Sequence, residues 1–138
     1  MSRRADQGQV RDWMTRAPVT VTPETSVGDT ARLMRSREIR HVLVTEGEQV
    51  VGIVSDRDLR GLPQEAQPGP PPGAPVARVM SEPPLIVEPD TSVTVAARAL
   101  LDSRIGALPV VDAGRATGIF TTADALEALL AWIEAREP

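Results

Sequence analysis

The chain has 138 residues, enough for one compact domain or two small interdependent halves, and 41% of it is apolar. Almost all of that share is aliphatic, because Phe120, Trp13 and Trp132 are the only large aromatics. Fifteen basic and nineteen acidic residues leave a formal charge of −4 with the basic residues scattered, which argues against a nucleic-acid surface.

The absence of cysteine excludes a disulfide framework and thiolate chemistry, and the single histidine argues against a zinc site, which usually needs several His or Cys ligands. The start, Met1 to Gln7, is polar and no later stretch is long and apolar enough to span a bilayer. The expectation is a soluble cytoplasmic protein with no membrane association.

Sliding the sequence on itself places Met14 on Met80, an offset of 66 that holds without a gap from Val10 to Asp58. Fifteen pairs are identical in this register, among them Val10/Val76, Pro23/Pro89, Ser26/Ser92, Ile39/Ile105, Gly52/Gly118 and Asp58/Asp124. Two copies of one supersecondary unit are present, with boundaries at 8–62 and 76–137. The Pro- and Gly-rich stretch 63–75 between them reads as an extended connector without regular structure, and no function is assigned to it.

In chain order each copy opens with a short strand, Val19 to Val21 or Leu85 to Val87, that runs up to a Pro-containing break. Ser26 with Asp29 three residues on has capping-box spacing, and Val27, Ala31 and Met34 recur at helical intervals. Val93, Ala97 and Leu100 repeat that stripe. Two β-rich runs around Glu46-Gly47-Glu48, and again around Ala113-Gly114, predict a hairpin. A second helix starts near Ser55 and Thr121, where a hydroxyl favours the N-cap. In the second copy it is long and carries Leu126, Leu129, Leu130 and Ile133, whereas Gly61 and Pro63 cut the first short. The fold class is α+β: two β-α-β-β-α repeats packed as a pseudo-two-fold pair.

Both copies end the second hairpin strand in Gly-Ile-Val or Gly-Ile-Phe, then a hydroxyl, two variable residues and an aspartate. A hydroxyl at a helix N-terminus lies beside free N–H groups and the positive end of the dipole, where a phosphate is stabilised. A carboxylate one turn on can accept hydrogen bonds from ribose hydroxyls. Ser55 with Asp58 and Thr121 with Asp124 are therefore the principal candidates for nucleotide binding. The competing account is that the hydroxyls are N-caps and the aspartates merely favour the dipole, for about 1 kcal/mol each.

The runs Val10 to Thr15, Pro23 to Val27 and Gly52-Ile53-Val54-Ser55-Asp56-Arg57-Asp58, repeated at Val76 to Met80 and Gly118-Ile119-Phe120-Thr121-Thr122-Ala123-Asp124, resemble those of CBS-domain pairs. The resemblance covers the chain from about Val10 to Ile133 apart from the linker. It implies a regulatory module whose two repeats enclose two clefts for AMP, ADP, ATP, S-adenosylmethionine or NAD, and often a homodimer. It also implies that Arg40 and His41 face phosphate, and that Val19, Ile39, Ile53, Leu85, Ile105 and Ile119 form apolar slots for adenine. For each of those six, ordinary core packing is the competing account. Arg40 and His41 have Gly106 and Ala107 as counterparts, so the clefts are expected to be unequal.

No nucleophile–base pair and no carboxylate cluster suggest catalysis, so the expectation is a non-enzyme that requires no cofactor. Two functions remain: a nucleotide sensor acting in trans on an unknown effector protein, or a protein–protein assembly module with vestigial clefts.

Overall fold

The computed structural model describes residues 8–60 and 70–137. In chain order the strands and helices are β1 (Thr15–Arg16), β2 (Thr20–Val21), α1 (Val27–Arg37), β3 (His41–Glu46), β4 (Gln49–Ser55), α2 (Asp56–Arg60), α3 (Val93–Ser103), β5 (Ala107–Asp112), β6 (Arg115–Thr121) and α4 (Thr122–Arg136), with single 3-10 turns at Val10–Asp12 and Val76–Arg78. These form two compact units, one from residues 19–84 and one from the segment up to Pro18 with the segment from Leu85 onward.

In the unit of 19–84 the sheet order is β2-β3-β4, with β2 parallel to β3 and β3 antiparallel to β4. Alternation along the strands sends Val42, Val44 and Val54 to one face, where they pack with Val27 and Met34 of α1 and Leu59 of α2. The other unit has the order β1-β6-β5 and a matching core of Leu108, Val110 and Phe120 under Val93, Ala96, Leu100 and Ala128.

The first helix of each repeat forms for the reasons its sequence suggests. Ser26 Oγ accepts the Asp29 amide at 3.0 Å, and Ser92 Oγ accepts that of Val95 at 3.1 Å. The expected capping box is only half made at α1, since the Asp29 carboxylate pairs with Arg32 rather than turning back to the Ser26 amide. The buried stripe also includes Thr30, whose hydroxyl donates to the Ser26 carbonyl at 2.9 Å and so needs no other partner. Both helices stop in a left-handed residue, Glu38 (φ 57) and Arg104 (φ 56), which lets the amides of Ile39 and Ile105 reach back to the carbonyls of Met34 and Leu100.

Both hairpins carry a register shift at the same repeat position, Val44/Thr45 and Val110/Val111. Ala113 and Gly114 both take positive φ at the tip of the second, the mirror-image turn whose twist suits a tight hairpin. The two leading strands differ. In the first repeat Leu43 donates its amide to the Val19 carbonyl at 3.1 Å, extending the pairing of β2. The equivalent of Leu43 is Pro109, which has no N–H, so the expected strand over Leu85 to Val87 shrinks to a single bridge between Val87 and Val110.

Repeats and units are cut at different places. The leading segment of the second repeat belongs to the unit of 19–84: the Val76 and Ala77 amides donate to Thr25 and Pro23, and Ser81 bridges Ile53 on β4. The leading segment of the first repeat belongs to the other unit, where Val10 and Arg11 donate to Thr91 and Pro89 and β1 lies antiparallel to β6. Two shared glycines permit this. A Cβ on Gly118 would lie 2.7 Å from both the Thr15 carbonyl oxygen and the Met14 sulfur, and one on Gly52 would lie 2.6 Å from the Met80 sulfur.

The connector is partly structured as well. Residues 61–69 lie outside the described residues, but the carbonyls of Ala74 and Pro72 accept the Val27 and Gly28 amides at 2.8 and 2.9 Å. Those amides open α1 and have no partner within the helix, and proline keeps its carbonyl for this purpose.

Gly118→Ala is expected to lower unfolding stability by about 1–3 kcal/mol through overpacking against β1. Gly73→Ala, where an added Cβ meets nothing within 4 Å, should change it by no more than about 0.5 kcal/mol. Urea denaturation of the two variants compares them, and equal midpoints would show that the segment does not bear on β6.

Candidate functional site

Each unit has the same junction where the second hairpin strand meets the second helix. At β4–α2 the Ser55 amide donates to Asp58 Oδ2 at 2.9 Å while the Asp58 amide donates to Ser55 Oγ at 3.2 Å. At β6–α4 the corresponding distances, Thr121 amide to Asp124 Oδ2 and Asp124 amide to Thr121 Oγ1, are 2.8 and 3.2 Å. Both are reciprocal capping boxes. The first helical amide is also taken, by the Arg40 carbonyl at Asp56 (2.9 Å) and by the Gly106 carbonyl at Thr122 (3.0 Å).

The cap does not exhaust these groups. Each hydroxyl accepts from the aspartate amide and keeps its own proton to donate. Each carboxylate uses Oδ2 for the cap and keeps Oδ1 to accept from a ligand. Capping and ligand binding are thus compatible, and the cap holds the carboxylate in one rotamer. Asp124 is only 8% exposed, whereas Asp58 is half-buried. The helix behind the second box, α4, runs for 15 residues, and α2 is described from Asp56 to Arg60, where the described residues break off. Aligned peptide dipoles favour an anion at the start of α4.

The sheet faces sort the remaining candidates. His41 is paired with Ser55 and Leu43 with Ile53, so these four side chains share the face away from α1 and α2. In the other unit Ala107, Thr121, Pro109 and Ile119 occupy the same positions. Ser81 and Thr15, brought in by the leading segments, lie directly against Ile53 and Ile119. Their proximity was not read from sequence; the signal available was the joint repetition of Met14/Met80 and Gly52/Gly118.

Ile39 and Ile105 pack on the helix side, as does Val19, against the cores of their units. Leu85 is 46% exposed, freed from the sheet by Pro109. Arg40 and His41 are parted. Arg40 lines a groove of about 460 Å³ between α1 and α2 with Arg35, Glu38, Ile39, Asp56 and Arg60, while His41 stays beside Ser55 on the opposite side of the sheet. The equivalent groove between α3 and α4, about 530 Å³, is lined by Ala97, Leu101, Ile105, Leu126 and Leu129 among others. Among the described residues no cluster of three or more His, Asp or Glu side chains could hold a metal ion, and no helix is long and apolar enough to cross a membrane.

A tandem α+β repeat protein with a hydroxyl–aspartate capping box in each copy is the class that fold and site define. The CBS domain family profile matches residues 10–65 and 76–131, and the chain belongs to that family. The CBS domain-containing protein YhcV of Bacillus subtilis is 31% identical over 83% of this chain and 81% of its own length. Protein MK0525 of Methanopyrus kandleri is 34% identical over 79% of this chain, which spans only 56% of that relative. Among solved structures, CBSX2 of Arabidopsis thaliana in complex with AMP is 32% identical with a TM-score of 0.75, covering 90% of this chain and 97% of that one. The comparisons support a nucleotide-binding regulatory module as the general description.

Asp124→Ala is expected to cost about 1 kcal/mol in the absence of ligand, because it strands the Thr121 amide. Asp58→Ala should cost less, since its box is more exposed. Thermal unfolding of the two variants measures this, and an unchanged midpoint for Asp124→Ala would mean the box has no structural role.

Proposed function

We propose that the protein is a non-catalytic sensor that binds AMP, ADP, ATP or a related adenosyl ligand, and that it regulates a partner protein in trans from the cytoplasm without a required cofactor. The observation that carries this is the hydroxyl–carboxylate pair held in the same geometry at both strand-to-helix junctions. The likeness to CBSX2, solved with AMP, supports the choice of ligand class. In this reading Ser55 and Thr121 donate to phosphate, Asp58 and Asp124 accept from ribose hydroxyls, and Ile53 and Ile119 on the same sheet faces flank the base. Val19, Ile39, Leu85 and Ile105 are held as less direct contributors to the apolar slots, and Arg40 as a source of charge reached from the helix side.

The assembly reading has an observation of its own. Leu101 is 70% exposed, Leu126 54% and Leu130 53%, on the helix pair α3–α4, whereas the same groove of the first repeat is charged. An apolar helix face of this kind marks an interaction surface. A second copy of the chain is the partner proposed, because the charged residues around the patch, Arg98, Asp102, Arg104 and Glu127, carry both signs and can pair across a two-fold axis. Sensing and dimerisation are compatible, and the first is taken as the function.

AMP, ADP or ATP is expected to raise the melting temperature, since a ligand at 100 times its Kd stabilises the folded state by about 2.7 kcal/mol. A thermal-shift screen that includes S-adenosylmethionine and NAD tests this, and no shift with any of them would leave the assembly reading alone. Calorimetry on Asp58→Ala and Asp124→Ala should each show the loss of one class of site. Light scattering should find a dimer that Leu101→Glu with Leu126→Glu converts to a monomer; a wild-type monomer would remove the dimer proposal.

A further inference from the structure

The two capping boxes differ in what the neighbouring strand can offer a phosphate, His41 in one and Ala107 in the other. In the second repeat the box opens α4, a helix of 15 residues, and the neighbouring strand offers only Ala107. In the first repeat the box opens α2, and the strand places His41 beside Ser55. Of His41, Leu43, Ile53 and Ser55 on that face, His41 alone can carry a positive charge, and Arg40 is turned into the groove behind the sheet. His41 is also the only histidine in the chain.

We propose that phosphate binding at the Ser55–Asp58 motif is coupled to protonation of His41, so that this motif, and not the Thr121–Asp124 motif, gains affinity for a phosphorylated ligand as pH falls. The inference rests on the nucleotide-binding reading given under Proposed function and adds its regulation. Ser55 of β4 is the neighbour of the imidazole across the strand pair, and the charges that act on it are the Asp56 and Asp58 carboxylates of α2 and the Arg40 guanidinium on the other side of the sheet. Burial holds its pKa below the usual 6.5, the two carboxylates push it up, and Arg40 pushes it down.

The free protein disfavours the imidazolium, so the unfolded chain binds the proton more readily and folded stability falls as pH drops through about 6.5. A phosphate dianion near Ser55 reverses the balance by pairing with the imidazolium. Ligand binding then takes up a proton between the free and bound midpoints. A rise of about one unit in the midpoint corresponds to a tenfold gain in affinity on the acid side.

Because the chain has one histidine, its imidazole resonances titrate in isolation. The experiment follows them by NMR from pH 5 to 8 in the free protein, with adenosine and with AMP, and measures AMP affinity at pH 6 and 7.5 in wild type and His41→Gln. The variant serves as reference because the phosphate itself titrates near pH 6. The expected result is a free midpoint below 6.5, no rise with adenosine, a rise of about one unit with AMP, and a several-fold gain in relative affinity at pH 6 that His41→Gln lacks. AMP binding with an unmoved midpoint overturns the coupling and leaves the function standing. An equal rise with adenosine overturns the role of phosphate, and a free midpoint at or above 6.5 overturns the burial argument. Failure of AMP to bind overturns the function, and the coupling with it.

Discussion

At Gly118 the Thr15 carbonyl oxygen and the Met14 sulfur occupy the space a side chain would need, and at Gly52 the Met80 sulfur and the Ser81 carbonyl do the same. Each hairpin can therefore take on a strand-like neighbour at close range, and in each unit that neighbour comes from the leading segment of the other repeat. Hydrogen bonds from Val10 and Val76 extend the docking to the start of α3 and α1, and both valines are fully buried. The first-turn amides of α1 and α3 are satisfied in the same way, by Ala74 and Gly8 carbonyls. Remove the close approach at the glycines and the sheet edge, the helix start and a core residue lose their partner together.

The hydroxyl–aspartate motif had two competing explanations, and the structure accommodates both. One carboxylate oxygen closes the cap and the other remains available. A group fixed by the fold loses little freedom when it meets a ligand, which is the usual advantage of a preorganised site. The asymmetry between the copies is now specific. It lies in the exposure of the aspartate and in the histidine or alanine beside the hydroxyl.

Much of this was legible in the sequence. The 66-residue offset, the hairpins and the hydroxyl caps follow from local chemistry, since periodicity and turn residues act over a few positions, while Gly61 and Pro63, expected to cut short the second helix of the first repeat, lie outside the described residues. What escaped depended on contacts distant in sequence. Pro109 unmakes a strand more than twenty residues upstream by withholding one amide. The exchange of leading segments leaves no periodic trace, because Val10 and Val76 look alike and could serve either unit. The parting of Arg40 from His41 was hidden for a simpler reason: adjacent residues at a strand start point to opposite sides, and only the register says which side is which.

The exchange of segments also orders events during synthesis. All the described parts of the unit of 19–84 have left the ribosome once Pro84 has emerged, so its pairing of β4 with Ser81 can form while the rest of the chain is still being made. Val10 and β1 are synthesised before that unit but find their partners, Thr91 and β6, only after it. Until then Val10, destined to be wholly buried, stays in water with its strand unpaired. Of the two units one can thus close early and the other late, and the segment that leads the first repeat is housed only after the second hairpin has been made.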